Sequence, residues 1–239
     1  MGFFVSVLVL FVQYCLWKTL IGSGLRPDIK LAQMITYIAI NEVIGALTRG
    51  DFANELGVSI QDGSVAMHFL RPASYQLYLF SSFMGRNCYR LFTSSLPAVI
   101  ICAVLVGLPP PASFIHFWLF IVHTMMGIVI IFELIYITGM LAFWTQRTWF
   151  LSWYVSALSA FFGGTIVPLW FYPRILNRLS AFLPFRYISF EGINYFLGKA
   201  PASAAGLSIS MAMLWVFALF FIGQLLWRQA QKKITINGG

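Results

Sequence analysis

The sequence predicts an all-α, polytopic membrane protein, and three observations carry the prediction. First, 60% of the 239 residues are hydrophobic and only 9% are charged, a balance far from that of soluble domains. Second, about six apolar runs reach the roughly 20 residues that a helix needs to cross about 30 Å of hydrocarbon. Third, several of the connections, "GSGLRPD", "PPPAS" and "TQRT", are short turns. The whole chain, residues 1–239, reads as one transmembrane domain.

The first span runs from Phe3 to about Ile21 and starts almost at Met1. "MGFFVS" matches a myristoylation pattern, and the apolar run after it has the look of a signal peptide. With no basic stretch or small-residue cleavage site before Lys18, an uncleaved transmembrane helix is expected instead. The second span, about Leu31 to Leu47, contains Gln33, Asn41 and Glu42. Lipid offers such groups no partners, so they should face other helices or a cavity.

From Asp51 to Gln61 the pattern changes. Phe52, Leu56 and Ile60 recur every four residues, with Asp51, Asn54, Glu55, Ser59 and Gln61 on the other side, the signature of an amphipathic helix too short to span. Asp62-Gly63 reads as its stop, Ser64 to Phe69 alternates polar and apolar residues, and Pro72 suits the first turn of a new helix. That helix carries Arg86 and Arg90 and becomes the third span at about Leu91 to Leu108. A fourth span, Phe114 to Phe143, holds Glu133. A fifth apolar segment from Trp149 runs into "GGTIVPLWFYP", where Gly163, Gly164, Pro168 and Pro173 break the helix. Short interfacial helices are expected there, and a last span at about Leu207 to Leu226 ends in "WRQAQKK".

The net charge of +8 comes from scattered cations that suit membrane flanks rather than nucleic acid. With the N-terminus inside, eight of the 15 Lys and Arg fall on the inner side and seven on the outer, so the positive-inside rule barely discriminates; the basic tail favours inside. Cys15, Cys88 and Cys102 form no CxxC spacing and are expected to be buried small hydrophobes.

The closest approach to a phosphate-binding loop, "GINYFLGKA" from Gly192, has one residue too many and Ala in place of the hydroxyl. Nucleotide hydrolysis by this chain is therefore not expected. His68, His116 and His123 carry no HExxH spacing and read as hydrogen-bonded histidines near the membrane surface. The intramembrane polar residues Asn41, Glu42, Arg90 and Glu133 are the candidate pathway residues, since a carboxylate in an apolar span marks a functional site by default. For Glu133 an ion pair with Arg90 or Arg86 is the expected arrangement, and for Asn41 and Glu42 polar packing between helices.

The whole pattern resembles an ABC-2 type transporter permease, of the small kind that works beside a second permease and a separate ABC ATPase. The resemblance rests on "MITYIAINEV" (Met34 to Val43), "IQDGSVAMHFLRPASYQLYLF" (Ile60 to Phe80) and "GGTIVPLWFYP" with "LPFRYISFEGINYFLGK" (Gly163 to Lys199), and it covers nearly the whole chain. It implies a type V exporter-like architecture. Residues 51–72 would form a cytosolic coupling segment seated on the ATPase, with Phe52, Glu55, Leu56, Ile60, Asp62, Gly63 and Arg71 as contacts. Residues 163–203 would form re-entrant helices at the outer side, where Arg174, Arg178 and Arg186 could meet anionic headgroups or an anionic cargo, with simple interfacial anchoring the expected role of any one of them.

The resemblance also implies ATP and Mg on partner ATPases, no cofactor on this chain, a second permease (copy or homologue), and a multi-pass protein of the cell membrane, in a bacterium the inner membrane. Export of a lipid-like, drug-like or peptide cargo is the expected activity. Family members usually carry an amphipathic helix before the first span. Here either the start has been trimmed or misassigned, or the internal loop makes the contact alone. An ion-coupled secondary transporter, using Glu42 and Glu133 but needing paired repeats, and an intramembrane enzyme are the alternatives.

Overall fold

The structure, a computed structural model, describes residues 2–23, 29–50, 52–61, 74–145 and 149–232, and these form helices and turns with no strand among them. In chain order the α-helices are α1 (Gly2–Gly22), α2 (Leu31–Thr48), α3 (Phe52–Gln61), α4 (Tyr75–Arg90), α5 (Leu96–Val106), α6 (Phe114–Met140), α7 (Trp149–Phe162), α8 (Arg174–Ala181), α9 (Phe190–Phe196) and α10 (Ala205–Gln231). Among the described residues five helical stretches are long and apolar enough to cross a membrane: Gly2–Gly22, Leu31–Thr48, Tyr75–Val106, Phe114–Phe143 and Ala202–Gln231. The sixth apolar segment, α7, has 14 residues, about 21 Å of helix. Its described part ends at the Gly163-Gly164 pair.

The third span is longer than its apolar stretch. α4 and α5 are one rod joined by a π-helical turn, Leu91–Ser95. Such turns bulge the backbone and re-aim side chains, and here Ser94 and Ser95 are buried.

α6 is the axis of the bundle. Of an 18-residue apolar stretch within it 56% is buried, against 17% for the matching stretch of α1, and α2, α3, α7, α9 and α10 all pack on it. Ser113 caps its first turn, its hydroxyl accepting from the His116 N–H at 3.3 Å. Gly127 on α6 faces the backbone carbonyls of Tyr187 and Ile188, the first of them 2.8 Å from where a Cβ would stand. No side chain fits between these backbones.

The outer faces of the spans are apolar, as the bilayer requires: Phe4, Val104, Phe114 and Leu207 are each at least three-quarters exposed. The same solvent explains a departure from expectation. Cys15 is exposed and Cys88 and Cys102 are half-buried, because a small apolar thiol is as compatible with lipid as with the core.

Candidate functional site

α1, α2, α6 and α7 line a cavity of about 570 Å³ whose wall is mixed, with Leu10, Met34, Ile131 and Val155 beside Gln13, Asn41, Glu42, Ser156 and Ser159. At the end nearer α3 it is lined by Arg49, Gly50 and Arg90, and at the far end by Trp17, Thr165 and Pro168. Polar and apolar groups sharing one wall suit an amphipathic occupant.

The far end is closed by the chain after α7. Gly164 turns with φ +70°, a conformation that favours glycine, and presents its carbonyl to the Tyr37 hydroxyl, which donates to it at 2.6 Å. The Asn41 amide donates to the Thr165 carbonyl at 2.8 Å. One turn apart on α2, these two side chains latch the broken passage to the bundle. Ser189 adds a third tie, its hydroxyl donating to the Gly163 carbonyl at 2.9 Å. Pro168 opens the short 3₁₀ turn Leu169–Phe171, and Pro173 precedes α8, its carbonyl accepting from the Asn177 N–H at 3.0 Å.

Nearer α3, Glu42 lines the same cavity and is 6% exposed. One carboxylate oxygen accepts from the hydroxyls of Ser6 on α1 at 2.7 Å and Ser95 in the π turn at 3.0 Å; the other lies 3.4 Å from an Arg49 guanidinium nitrogen. Polar packing between helices was the expectation, and the packing joins three spans. Arg90 donates to the Arg49 carbonyl at 2.9 Å and to Asn87 Oδ1 at 3.3 Å.

Glu133 departs from expectation: neither Arg86 nor Arg90 is its partner. Both its oxygens accept from the Gln76 amide, at 2.6 and 2.8 Å, and Gln76 in turn accepts from the Gln224 amide at 2.5 Å. The reason is axial position. Glu133 meets the first turn of α4, and Arg86 stands ten residues further along that helix, about 15 Å away. Arg86 instead meets Glu55 of α3 at 2.5 and 2.6 Å.

α3 packs against α6, the following 3₁₀ turn and α7. Phe52 and Leu56 are each 2% exposed, and Phe52 stacks on Phe132 at 5.4 Å between ring centroids, with Phe83 edge-on at 5.7 Å. Of the expected coupling residues, these two therefore meet this chain's own core, while Glu55 is on the exposed side. Ile60 belongs to α3 by its backbone, and its side chain lies outside the described set. Asp62, Gly63, Arg71, His68 and the expected helix start at Pro72 all lie outside the described residues.

The segment from 163 to 203 is a series of short helices, as expected. Arg186 sits at its centre: Nε donates to Glu191 at 2.5 Å, one terminal nitrogen donates to Asn177 Oδ1 at 2.7 Å, and the guanidinium lies over the Phe190 ring at 5.0 Å. Arg174 and Arg178 are exposed beside Ile175, Leu179 and Phe182, an arrangement suited to a water–lipid boundary. The two described histidines are hydrogen-bonded: His116 to Ser113 Oγ at 2.7 Å, and His123 to the Leu119 carbonyl and Ser208 Oγ at 2.8 and 2.9 Å.

Sequence reasoning missed Tyr37 and the partners of the two carboxylates: Ser6, Ser95, Gln76 and Gln224. Their shared signal is isolation. Each is a polar group within or at the edge of an apolar run, with no lipid partner available to it.

A family model described as "ABC-2 family transporter protein" matches residues 4–238. No curated protein and no solved structure matches the chain significantly.

Proposed function

The chain belongs to the ABC-2 transporter family, and from that premise we propose that it is the permease subunit of an exporter whose pathway is the cavity between α1, α2, α6 and α7. Membership makes it a multi-pass membrane component of an ABC transporter. In the fuller reading it resides in the cell membrane, with α3 on the cytosolic side and residues 163–203 outside. Two partner ATPases bind ATP and Mg and dock at the α3 end, and a second permease, copy or homologue, completes the pathway wall.

The observation that carries this reading is the cavity itself, which reaches from Arg49 and Arg90 to a far end held shut by Tyr37 and Asn41. The hydrogen bonds of Tyr37, Asn41 and Ser189 to backbone carbonyls are replaceable by water when the passage lifts, and the packing of Leu169 on Tyr37 and Phe190 returns it to the closed position. The drive arrives through α3. Its Phe52 is wedged between Phe83 of α4 and Phe132 of α6, and Glu55 grips Arg86 of α4. A push on α3 is thereby delivered to two spans as a rigid-body displacement. Cargo admitted at the Arg49 end leaves when the far latch opens.

The test is gentle extraction of the tagged chain from its native membrane, identification of co-purifying proteins by mass spectrometry, and reconstitution of what is recovered into proteoliposomes. An ABC ATPase with a second permease, and cargo movement that needs ATP, are expected. Recovery of the chain alone, moving cargo on an ion gradient, would replace this reading with that of a secondary carrier.

A further inference from the structure

Glu133 is 3% exposed, and its hydrogen bonds come from one neutral amide. Among the described residues the carboxylates in salt bridges are Glu42, Glu55 and Glu191; Glu133 has no such partner, and Arg86 is engaged by Glu55. A carboxylate buried in a span without a counter-charge is costly to keep ionised. Something must neutralise it.

Beside Glu133 lies a groove of about 230 Å³, with the rings of Phe80, Phe132 and Phe220 among its lining. Phe80 and Phe132 meet edge to face at 5.0 Å. Leu77 at 61% and Phe220 at 41% exposure form the mouth, so the groove opens on the outside of the bundle. It shares no lining residue with the α1–α2–α6–α7 cavity, so occupancy here does not depend on that cavity being the pathway.

We propose that this groove is a binding site for an organic cation, the quaternary or tertiary ammonium head of an amphiphile that reaches it from the apolar surroundings. Each part of the site answers one part of that ligand. The Glu133 carboxylate supplies the missing counter-charge, the accessible rings of Phe80 and Phe220 attract alkylated ammonium groups while buried Phe132 backs Phe80, and the Leu77–Phe220 mouth lets an apolar tail lie outside. A hard metal ion is poorly matched, because it wants six or more oxygen ligands and would meet the rings of Phe80 and Phe220 here. Gln76 and Gln224 hold the carboxylate in place by relay.

The test measures equilibrium binding of radiolabelled benzyltrimethylammonium to the full chain, purified in a neutral detergent with whatever subunits accompany it. Saturable binding is expected, displaced by the unlabelled cation but not by 2,2-dimethylpropylbenzene, its neutral isostere with carbon in place of nitrogen. Glu133→Gln keeps the shape and one of the two acceptors for the Gln76 amide and is expected to weaken binding by about tenfold or more. Phe220→Ala is expected to weaken it by about three- to tenfold. Elution and melting profiles establish that each variant is folded. Competition by the neutral compound at equal strength, undiminished binding in folded Glu133→Gln, or no saturable binding to the folded wild type would each overturn the proposal. The last result would mean that a proton alone neutralises Glu133.

Discussion

Glu42 and Glu133 are the same residue type, each almost fully buried within a span, yet the protein treats them differently. Glu42 has two hydroxyl donors from two other helical segments and a guanidinium nearby. Glu133 has a single amide, itself held by a second amide. The first carboxylate is a finished junction, with its charge answered inside the chain. The second is an unfinished one, with an aromatic groove beside it. The difference teaches that a buried charge becomes informative about function only after its partners have been identified.

The largest effect expected from breaking this contrast is on the finished side. Replacing Ser6 and Ser95 together by Ala strips both hydroxyls from a buried carboxylate, and thermal unfolding in detergent should show a loss of about 2–5 kcal/mol. A change within error would mean that Glu42 is held chiefly by Arg49. Next comes Gln76→Ala, which removes the donor to both Glu133 oxygens and should cost about 1–3 kcal/mol. Adding Glu133→Gln to that variant should recover much of the loss, because no charge then remains to be satisfied; failure to recover it would place the damage in packing.

Smaller still is Arg49→Ala. The side chain is 59% exposed and its contact to Glu42 is 3.4 Å, so the ion-pair part should be worth at most about 1 kcal/mol after solvent screening. A loss as large as that of the double serine variant would contradict the ranking. Smallest in stability is Glu55→Lys, which breaks an exposed pair with Arg86 for about 1 kcal/mol or less. Its expected effect on ATP-driven transport in proteoliposomes is nonetheless a loss of coupling with the protein still inserted, and wild-type transport would remove α3 from that role. Phe52→Ala is a poor substitute for this test. Phe52 is wedged in the core, and losing it should cost about 3–5 kcal/mol whatever α3 does.

The sequence by itself determined the class of this protein and the order of its parts. Runs of about 20 apolar residues have one stable solution in a bilayer. Glycine and proline breaks after Phe162 have only short helices open to them, and the four-residue recurrence of Phe52 and Leu56 marks a helix with one buried face. The buried polar positions within the spans were legible too, because Asn41, Glu42 and Glu133 stand out against lipid-compatible neighbours.

What only the tertiary structure decided is who meets whom. Composition says that Glu133 needs a partner. Which residue lies beside it depends on how far α4 extends beyond the apolar stretch, and that axial offset puts Gln76, not Arg86 or Arg90, at its level. The π turn that turns Ser95 inward to Glu42 likewise leaves no trace in a pattern of period 3.6. Nor does the latch of Tyr37 and Asn41 on carbonyls more than 120 residues away in the chain. Periodicity is local, whereas pairing between helices is set by their relative height and rotation, which the packing of the whole bundle around α6 fixes.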